Sequence, residues 1–380
     1  MKFTACVIAG VLSASAALAA DPVRIGVTTI LSGPIADRGQ SEQYGVELAL
    51  QKINESGGVL GRPVEAFYAD NAANPAIGVP AVQDLIDQQH VPVIIGALAT
   101  PVTHAIMPLV QERKIPLIID ISAGQDFVDA SGVGGNQYSF KTIPSDLDIA
   151  RNMIGWLKGQ EAAKGEPTVA ILADDNEFNR TNADSMGRVA EAAGMKVLAK
   201  EIVPKGTTDL APLLAKLKQA APDRLIIVLG PSTASFFKAY EQSGWAVPLA
   251  GRIDFATALK AVSPQFLANG GLAKAASIVV FTPIDTTPGV AEFVAAYRAK
   301  YGLLPTQRSF YAYEAANLAV DAIRRAGADT PEAIEAALKT TTMPSLLGGT
   351  YAMDDHNHSH TPMRILGVQN GKVVILAAVN

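Results

Sequence analysis

Three of the five histidines in this chain fall in one short run, Asp354-Asp355-His356-Asn357-His358-Ser359-His360. Alternate residues of a strand share a face, so extended backbone would gather His356, His358 and His360 around zinc or nickel, with a carboxylate beside them. The Gly348-Gly349 pair upstream, and the Asn, Ser and Asp within the run, favour a polar loop instead. Thr100-Pro101 offers a different chemistry. A threonine N-cap with proline at the first helical position leaves N–H groups at the second and third positions, a hydroxyl and the positive end of a helix dipole, which together suit a carboxylate. Asp120-Ile121-Ser122-Ala123-Gly124 adds a second hydroxyl and a small-residue turn with exposed backbone groups. Asp174-Asp175 stands where a helix over 179–193 needs a cap, a simpler duty than acid–base catalysis. No G-x-G-x-x-G follows a strand, and there is no G-x-x-x-x-G-K-[ST], G-x-S-x-G or H-E-x-x-H. The expectation is therefore a protein that is not an enzyme and needs no cofactor. A metal-binding or catalytic role would rest on the histidine run alone.

These residues punctuate a chain that alternates strands and helices almost throughout. The β-rich runs are 23–30, 64–68, 91–96, 115–121, 168–173, 197–203, 225–229 and 277–281. Helical spacing covers 41–53, 100–113, 148–158, 179–193, 290–300, 309–326 and 331–339, with further helices ending near Ala220 and Gly244. A hairpin, 363–368 with 372–377, turns at Asn370-Gly371. This rhythm predicts an α/β fold with parallel sheets covered on both faces. Such sheets bind ligands beyond the carboxyl ends of their strands, where Thr100 and Asp120 fall. The texture changes at Lys141–Pro144, Phe281–Pro283 and Gly348–Thr350. Two runs of βα units divided in this way predict two sheets rather than one of ten strands.

Residues 1–20 read as a signal peptide: Lys2, the apolar stretch Ala5–Leu12, and Ala17-Leu18-Ala19 ahead of Ala20-Asp21. The single cysteine, Cys6, lies inside that leader, so the mature chain is expected to lack thiols and disulfides. Both features suit the bacterial periplasm. At 380 residues two domains are the default, and 49% hydrophobic residues supply their cores. A net charge of −5 gives no electrostatic case for nucleic acid or anionic lipid.

The string from Val23 to Asp70 combines a strand, the Ser32-Gly33-Pro34 turn, a helix with Gly39, Gly45 and Ile53-Asn54, the Gly57-Gly58 stop and Gly61. It resembles the opening of the type I periplasmic solute-binding proteins, the leucine/isoleucine/valine-binding family of ABC importers. The resemblance extends over the mature chain, beyond residue 70 through order and spacing more than identities. It implies two Rossmann-like lobes joined by a three-segment hinge: residues 22–142 and 283–350 in one, 143–282 and 351–380 in the other. It also implies capture of a small amino acid, branched-chain or similar, by hinge closure. The expected partners are an inner-membrane permease and ATPase, and the expected state is a monomer.

The resemblance implies that the loops at the Thr100 and Asp120 junctions hold the carboxylate and ammonium of an amino acid. Thr100 matches the Ser/Thr that meets the ligand, and Asp120, Ile121, Ser122 and Ala123 form the neighbouring junction. Ala123 stands where the family offers Thr, and Arg38 where it often has an aromatic. Phe178 keeps an aromatic without its phenol, and Ser232 replaces a tyrosine. The acid that would meet an ammonium is out of register, with Ile253 in its place and Asp254 one further on. Two pockets fit these departures. One takes an amino acid, with Asp254 or Asp120 as the anion. The other takes an aromatic or aliphatic monocarboxylate without an ammonium, paired with Arg38 and packed on Phe178.

Overall fold

The computed structural model describes residues 21–161 and 166–380; the expected leader, residues 1–20, lies outside them. The chain opens with β1 (Val23–Thr29), α1 (Ala36–Glu55), β2 (Val64–Asp70), α2 (Pro75–Asp87), β3 (Ile94–Gly96), α3 (Thr100–Arg113), β4 (Leu117–Ile119), α4 (Gln125–Asp129) and β5 (Ser139–Lys141). Its five strands form a parallel sheet in the order β2-β1-β3-β4-β5. The second run is α5 (Asp146–Glu161), β6 (Thr168–Asp175), α6 (Glu177–Ala192), β7 (Lys196–Pro204), α7 (Ala211–Ala220), β8 (Arg224–Val228), α8 (Thr233–Ser243), β9 (Leu249–Arg252), α9 (Phe255–Ala261) and α10 (Pro264–Ala268). Its strands form a second parallel sheet, β7-β6-β8-β9.

The last third is shared between these layers. β10 (Ala276–Val279) follows the second sheet, and Ser277 Oγ accepts from Ile253 N at 2.8 Å. Next come α11 (Pro288–Tyr301), α12 (Gln307–Ala326), α13 (Pro331–Lys339), β11 (Thr342–Pro344), β12 (Thr350–Ala352), β13 (Met363–Gln369) and β14 (Lys372–Val379). The two twenty-residue helices α1 and α12 pack so closely that a Cβ on Gly45 would run into the Ser309 carbonyl. Tyr301 Oη also reaches the Tyr44 carbonyl at 3.1 Å, so α11 and α12 cover the first sheet. β13 and β14 form the expected hairpin and join β10 in an antiparallel three-stranded sheet.

One expected crossing lies elsewhere. Gly348 and Gly349 both take positive φ in the loop between the paired strands β11 and β12. Beyond it, residues 357–359 run beside β5: Lys141 N donates to Asn357 O at 2.8 Å and Ser359 N to Lys141 O at 2.9 Å. The chain therefore stays with the first sheet to about residue 360. A Gly-Gly pair marks a reversal as readily as a hinge, and here it is a reversal.

Both parallel sheets reverse their strand order once, between β1 and β3 and between β6 and β8. Open α/β sheets bind ligands at such switch points, beyond the strands' carboxyl ends. Thr100 follows β3 and Ser232 follows β8, so the fold puts both expected positions there. Among the described residues no helix is long and apolar enough to cross a membrane.

Candidate functional site

On the first sheet, α3 begins at Thr100, with Ala99 as N-cap and Pro101 second in the helix. Thr100 therefore lies one residue inside the expected cap position. The expected free N–H groups are also reduced: Pro101 has none, and those of Val102 and Thr103 turn back to the Ala99 carbonyl at 3.0 and 3.1 Å. The buried Thr100 keeps a hydroxyl and an N–H with no protein partner among the described residues. Ser122, by contrast, braces the loop. Its hydroxyl lies 2.8 Å from that of Thr103 and donates to the Ala97 carbonyl at 3.1 Å. Ile121 is partly buried, and the carbonyl of buried Ala123 accepts from Asp146 N at 2.7 Å.

Asp120 is fully buried, and neither carboxyl oxygen has a hydrogen-bond donor in the fold. Beside it lies Glu42 of α1, equally buried, whose Oε2 accepts from Thr29 Oγ1 while Oε1 has no donor. Burial pushes Asp120 up to about 7 and Glu42 well above the ordinary carboxyl range. The charge of Asp120 adds to the rise at Glu42. Arg308 of α12 lies in the field of Glu42. Burial, and then repulsion from Arg38 in the first turn of α1, lower its pKa, while Asp37 and Glu42 favour its charge.

The second sheet presents a different surface. Asp174 accepts from Gly230 N at 2.8 Å and Ser232 N at 3.2 Å, and Ser232 Oγ accepts from Gly206 N at 3.0 Å. Asp174 thus ties β6 to the loop after β8. The cap of α6 is Asn176, which accepts from Asn179 N at 3.0 Å, so the expected capping by Asp174-Asp175 is replaced. Asp254 caps α9, accepting from Thr257 N at 3.1 Å and Thr257 Oγ1 at 2.7 Å, and is exposed. Phe178 is partly buried. The Arg252 guanidinium lies 4.8 Å from its ring centre and donates to Asn182 Oδ1 at 3.0 Å.

Groups from both layers meet between the sheets. Tyr311 of α12 donates to Gln307 Oε1 at 3.1 Å and lies in the fields of both Arg252 and Arg308; burial pushes its hydroxyl up. Lys141, at the end of β5, donates to the carbonyls of Ile143 and Pro144 at 2.6 and 3.2 Å, and burial pulls it down to about 7. Asp146, fully buried in the first turn of α5, is pushed up by burial. His104 of α3 bridges Asp126 of α4 at 2.9 Å and Glu177 of α6 at 3.2 Å.

The histidine run separates. His356 turns to the Ser131 carbonyl at 3.2 Å, away from the other two. His358 and His360 each come within 3.7 Å of Asp148 on α5. These three could hold a metal, but their atoms already have protein partners. His358 Nε2 lies 2.9 Å from the Ile143 carbonyl, and Asp148 Oδ2 accepts from Ser145 N and Oγ at 2.9 and 2.8 Å.

Sequence reasoning missed Glu42, Arg252, Arg308 and Tyr311. Glu42 had a signal, since it shares the helix face of Val46, Ala49 and Ile53. Arg252 ends a strand too short to announce itself.

A family model described as periplasmic binding protein matches residues 22–372. The leucine-, isoleucine-, valine-, threonine- and alanine-binding protein of Pseudomonas aeruginosa is 25% identical over 358 residues, 91% of this chain and 89% of that one. A branched-chain amino acid transporter substrate-binding protein from Streptococcus pneumoniae, solved with isoleucine, shares the fold at TM-score 0.79 and 21% identity, covering 95% of this chain and 99% of that one. A solute-binding protein of an R. palustris ABC transporter, solved with 4-hydroxybenzoate, superposes at TM-score 0.76 with 26% identity, covering 94% of this chain and 97% of that one.

Proposed function

The chain belongs to the periplasmic binding protein family, and from that premise we propose that it is the periplasmic substrate-binding component of an ABC importer, capturing a small amino acid of branched-chain type. It is read as a carrier and not an enzyme, handing its solute to a membrane permease driven by an ATPase. The first lobe would comprise residues 22–142 with 283 to about 360, and the second the remainder, with crossings near 141–144, 281–283 and 360–362. Closure of one lobe over the other supplies ligand contacts from both sides, so affinity and closure are one free energy.

The observation carrying this reading is the set of polar groups without protein partners at the carboxyl ends of β3 and β4, at and beside the first sheet's switch point. Thr100 offers a hydroxyl and an N–H to a carboxylate, and Asp120 offers an anion to an ammonium. A second reading, a monocarboxylate without an ammonium, has its own support. Asp254 is engaged as a helix cap, and Arg38, Arg308 and Arg252 place three cations around the cleft. A neighbour at 26% identity was solved with 4-hydroxybenzoate.

A thermal-shift panel separates the two. A ligand at 100 times its Kd stabilises by about 2.7 kcal/mol. Leucine, isoleucine, valine and alanine are expected to shift the transition under the first reading, and benzoates or aliphatic acids under the second. Small-angle scattering with the best ligand is expected to give a smaller radius of gyration. No shift with any compound, or an unchanged profile at saturation, refutes the function.

A further inference from the structure

We propose that Arg252 is a specificity-determining residue: from the second lobe, it pairs with the ligand's carboxylate. The proposal rests on the solute-binding reading and adds the group that recognises the acid on closure. Arg252 is the last residue of β9, at the carboxyl edge where the second sheet meets the cleft. Its guanidinium is held by two contacts, one hydrogen bond to Asn182 Oδ1 and the face of Phe178. Of its five N–H donors one is used by Asn182, and among the described residues no carboxylate lies within ion-pair distance.

The charged and titratable groups around it are Lys141 at the end of β5, Asp146 in the first turn of α5 and Tyr311 of α12, which Arg308 also faces. Tyr311 already donates to Gln307, Lys141 to two carbonyls, and Arg308 is itself a cation. None of these supplies the acceptor Arg252 needs except Asp146, which stays beyond pairing range. Stacking and the Asn182 bond hold the guanidinium plane, and a planar fork held in this way matches a carboxylate through two parallel bonds. Phe178, under the same guanidinium, gives the ligand's apolar body a surface beside its charged end. The substrate class is a carboxylate with an apolar or aromatic body, whether or not it also carries an ammonium.

The test is a double-mutant cycle between protein and ligand. Titration calorimetry would compare 4-hydroxybenzoate with 4-hydroxybenzamide, and leucine with leucinamide, on wild type, Arg252→Met and Arg252→Lys. For whichever acid binds wild type, Arg252→Met is expected to lose about 10- to 150-fold while the matching amide changes little. Arg252→Lys should recover only part, because an ammonium cannot make the paired bonds. Asn182→Ala, which frees the guanidinium without removing it, should weaken the acid less. Melting of the ligand-free variants checks that each folds. Equal losses for acid and amide, or full recovery in Arg252→Lys, overturn the proposal and leave Arg252 as a brace for Phe178. A wild type that binds neither acid overturns the solute reading for both classes, and the proposal falls with it. If wild type binds an acid and Arg252→Met keeps its preference over the amide, only the proposal falls.

Discussion

The carboxyl edges of the two parallel sheets handle their polar groups differently. At the end of β4, Asp120 is buried with both oxygens lacking donors, and after β3 the Thr100 hydroxyl has no protein partner. At the end of β6, Asp174 holds two N–H groups of the loop after β8 through Oδ2 while its Oδ1 has no donor, and Ser232 holds the loop after β7. A buried polar group without a partner is costly, and one that ties two loops together stabilises them. The first face therefore looks prepared for an outside partner and the second prepared to stay rigid. Rigid loops carry Phe178 and Arg252 toward the cleft as a fixed surface. This suggests an order of events, with the solute meeting the first lobe and the second closing on it as a unit.

The sharpest way to break this contrast is to exchange the roles. Asp174→Ala leaves two N–H groups without their acceptor, at about 1–3 kcal/mol each where buried. Only the Ser232 N–H is buried, so urea or thermal unfolding should report a loss of about 1–3 kcal/mol. If the variant is as stable as wild type, the second face is not braced as described. Thr100→Ala is expected to do the reverse. Its side chain is buried but is not the cap, so stability should fall by only about 1 kcal/mol. Carboxylate binding should weaken by about 10- to 150-fold. Loss of stability without loss of affinity would move Thr100 into the scaffold.

Asp120→Asn probes the same face through pH. Burial raises the Asp120 pKa to about 7, whereas the unfolded chain titrates near the ordinary value of 3.8. The folded form thus retains the proton longer. The stability this gives is complete below the unfolded value and is lost as pH rises toward 7. The ligand-free wild type should lose stability over that window, and the amide variant should lose less, with a difference on the order of 1 kcal/mol at neutral pH. Parallel curves for the two proteins would mean that Asp120 does not titrate in this range.

How much of this was legible in the sequence follows from strand length and burial. β6 carries the unbroken apolar run Val169–Ala173 and β1 a β-rich, almost wholly buried run, because both faces of a parallel sheet are covered, and both are legible. β5 and β9 are not: Ser-Phe-Lys and Leu-Ala-Gly-Arg have no such run and end in a cation. Missing β9 hid Arg252: the charged partner expected from the sequence, Asp254, lies two residues further on. Thr100 was displaced by one residue because proline is accepted at either of the first two helical positions, and Ala99 gives no side-chain sign of a cap. The Glu42–Asp120 pair joins residues 78 positions apart, which no local spacing reveals.

The smallest expected effect concerns the contact between the two layers themselves. His104 on α3 bonds Asp126 of its own layer and reaches Glu177 in the first turn of α6 across the cleft. The Phe127 ring lies against it at 4.3 Å. Its pKa is raised, chiefly by the Asp126 hydrogen bond, with burial opposing and Glu177 adding to the rise. Only the Glu177 part belongs to closure, because Asp126 stays beside His104 whether the lobes are open or closed. The closed form therefore holds the imidazolium proton to higher pH than the open form does. That contribution to affinity is present below the ordinary value of 6.5 and is lost as pH rises through the raised one. All three groups are partly exposed, and exposed pairs contribute about 0.2–1 kcal/mol, so affinity should fall by about 1.5- to 5-fold between pH 6 and 8. Glu177→Gln should flatten this slope while leaving the fold intact, and Asp126→Asn should shift its midpoint down without removing it. A Glu177→Gln protein with the wild-type slope would show that the proton is held within one layer and that closure does not depend on it.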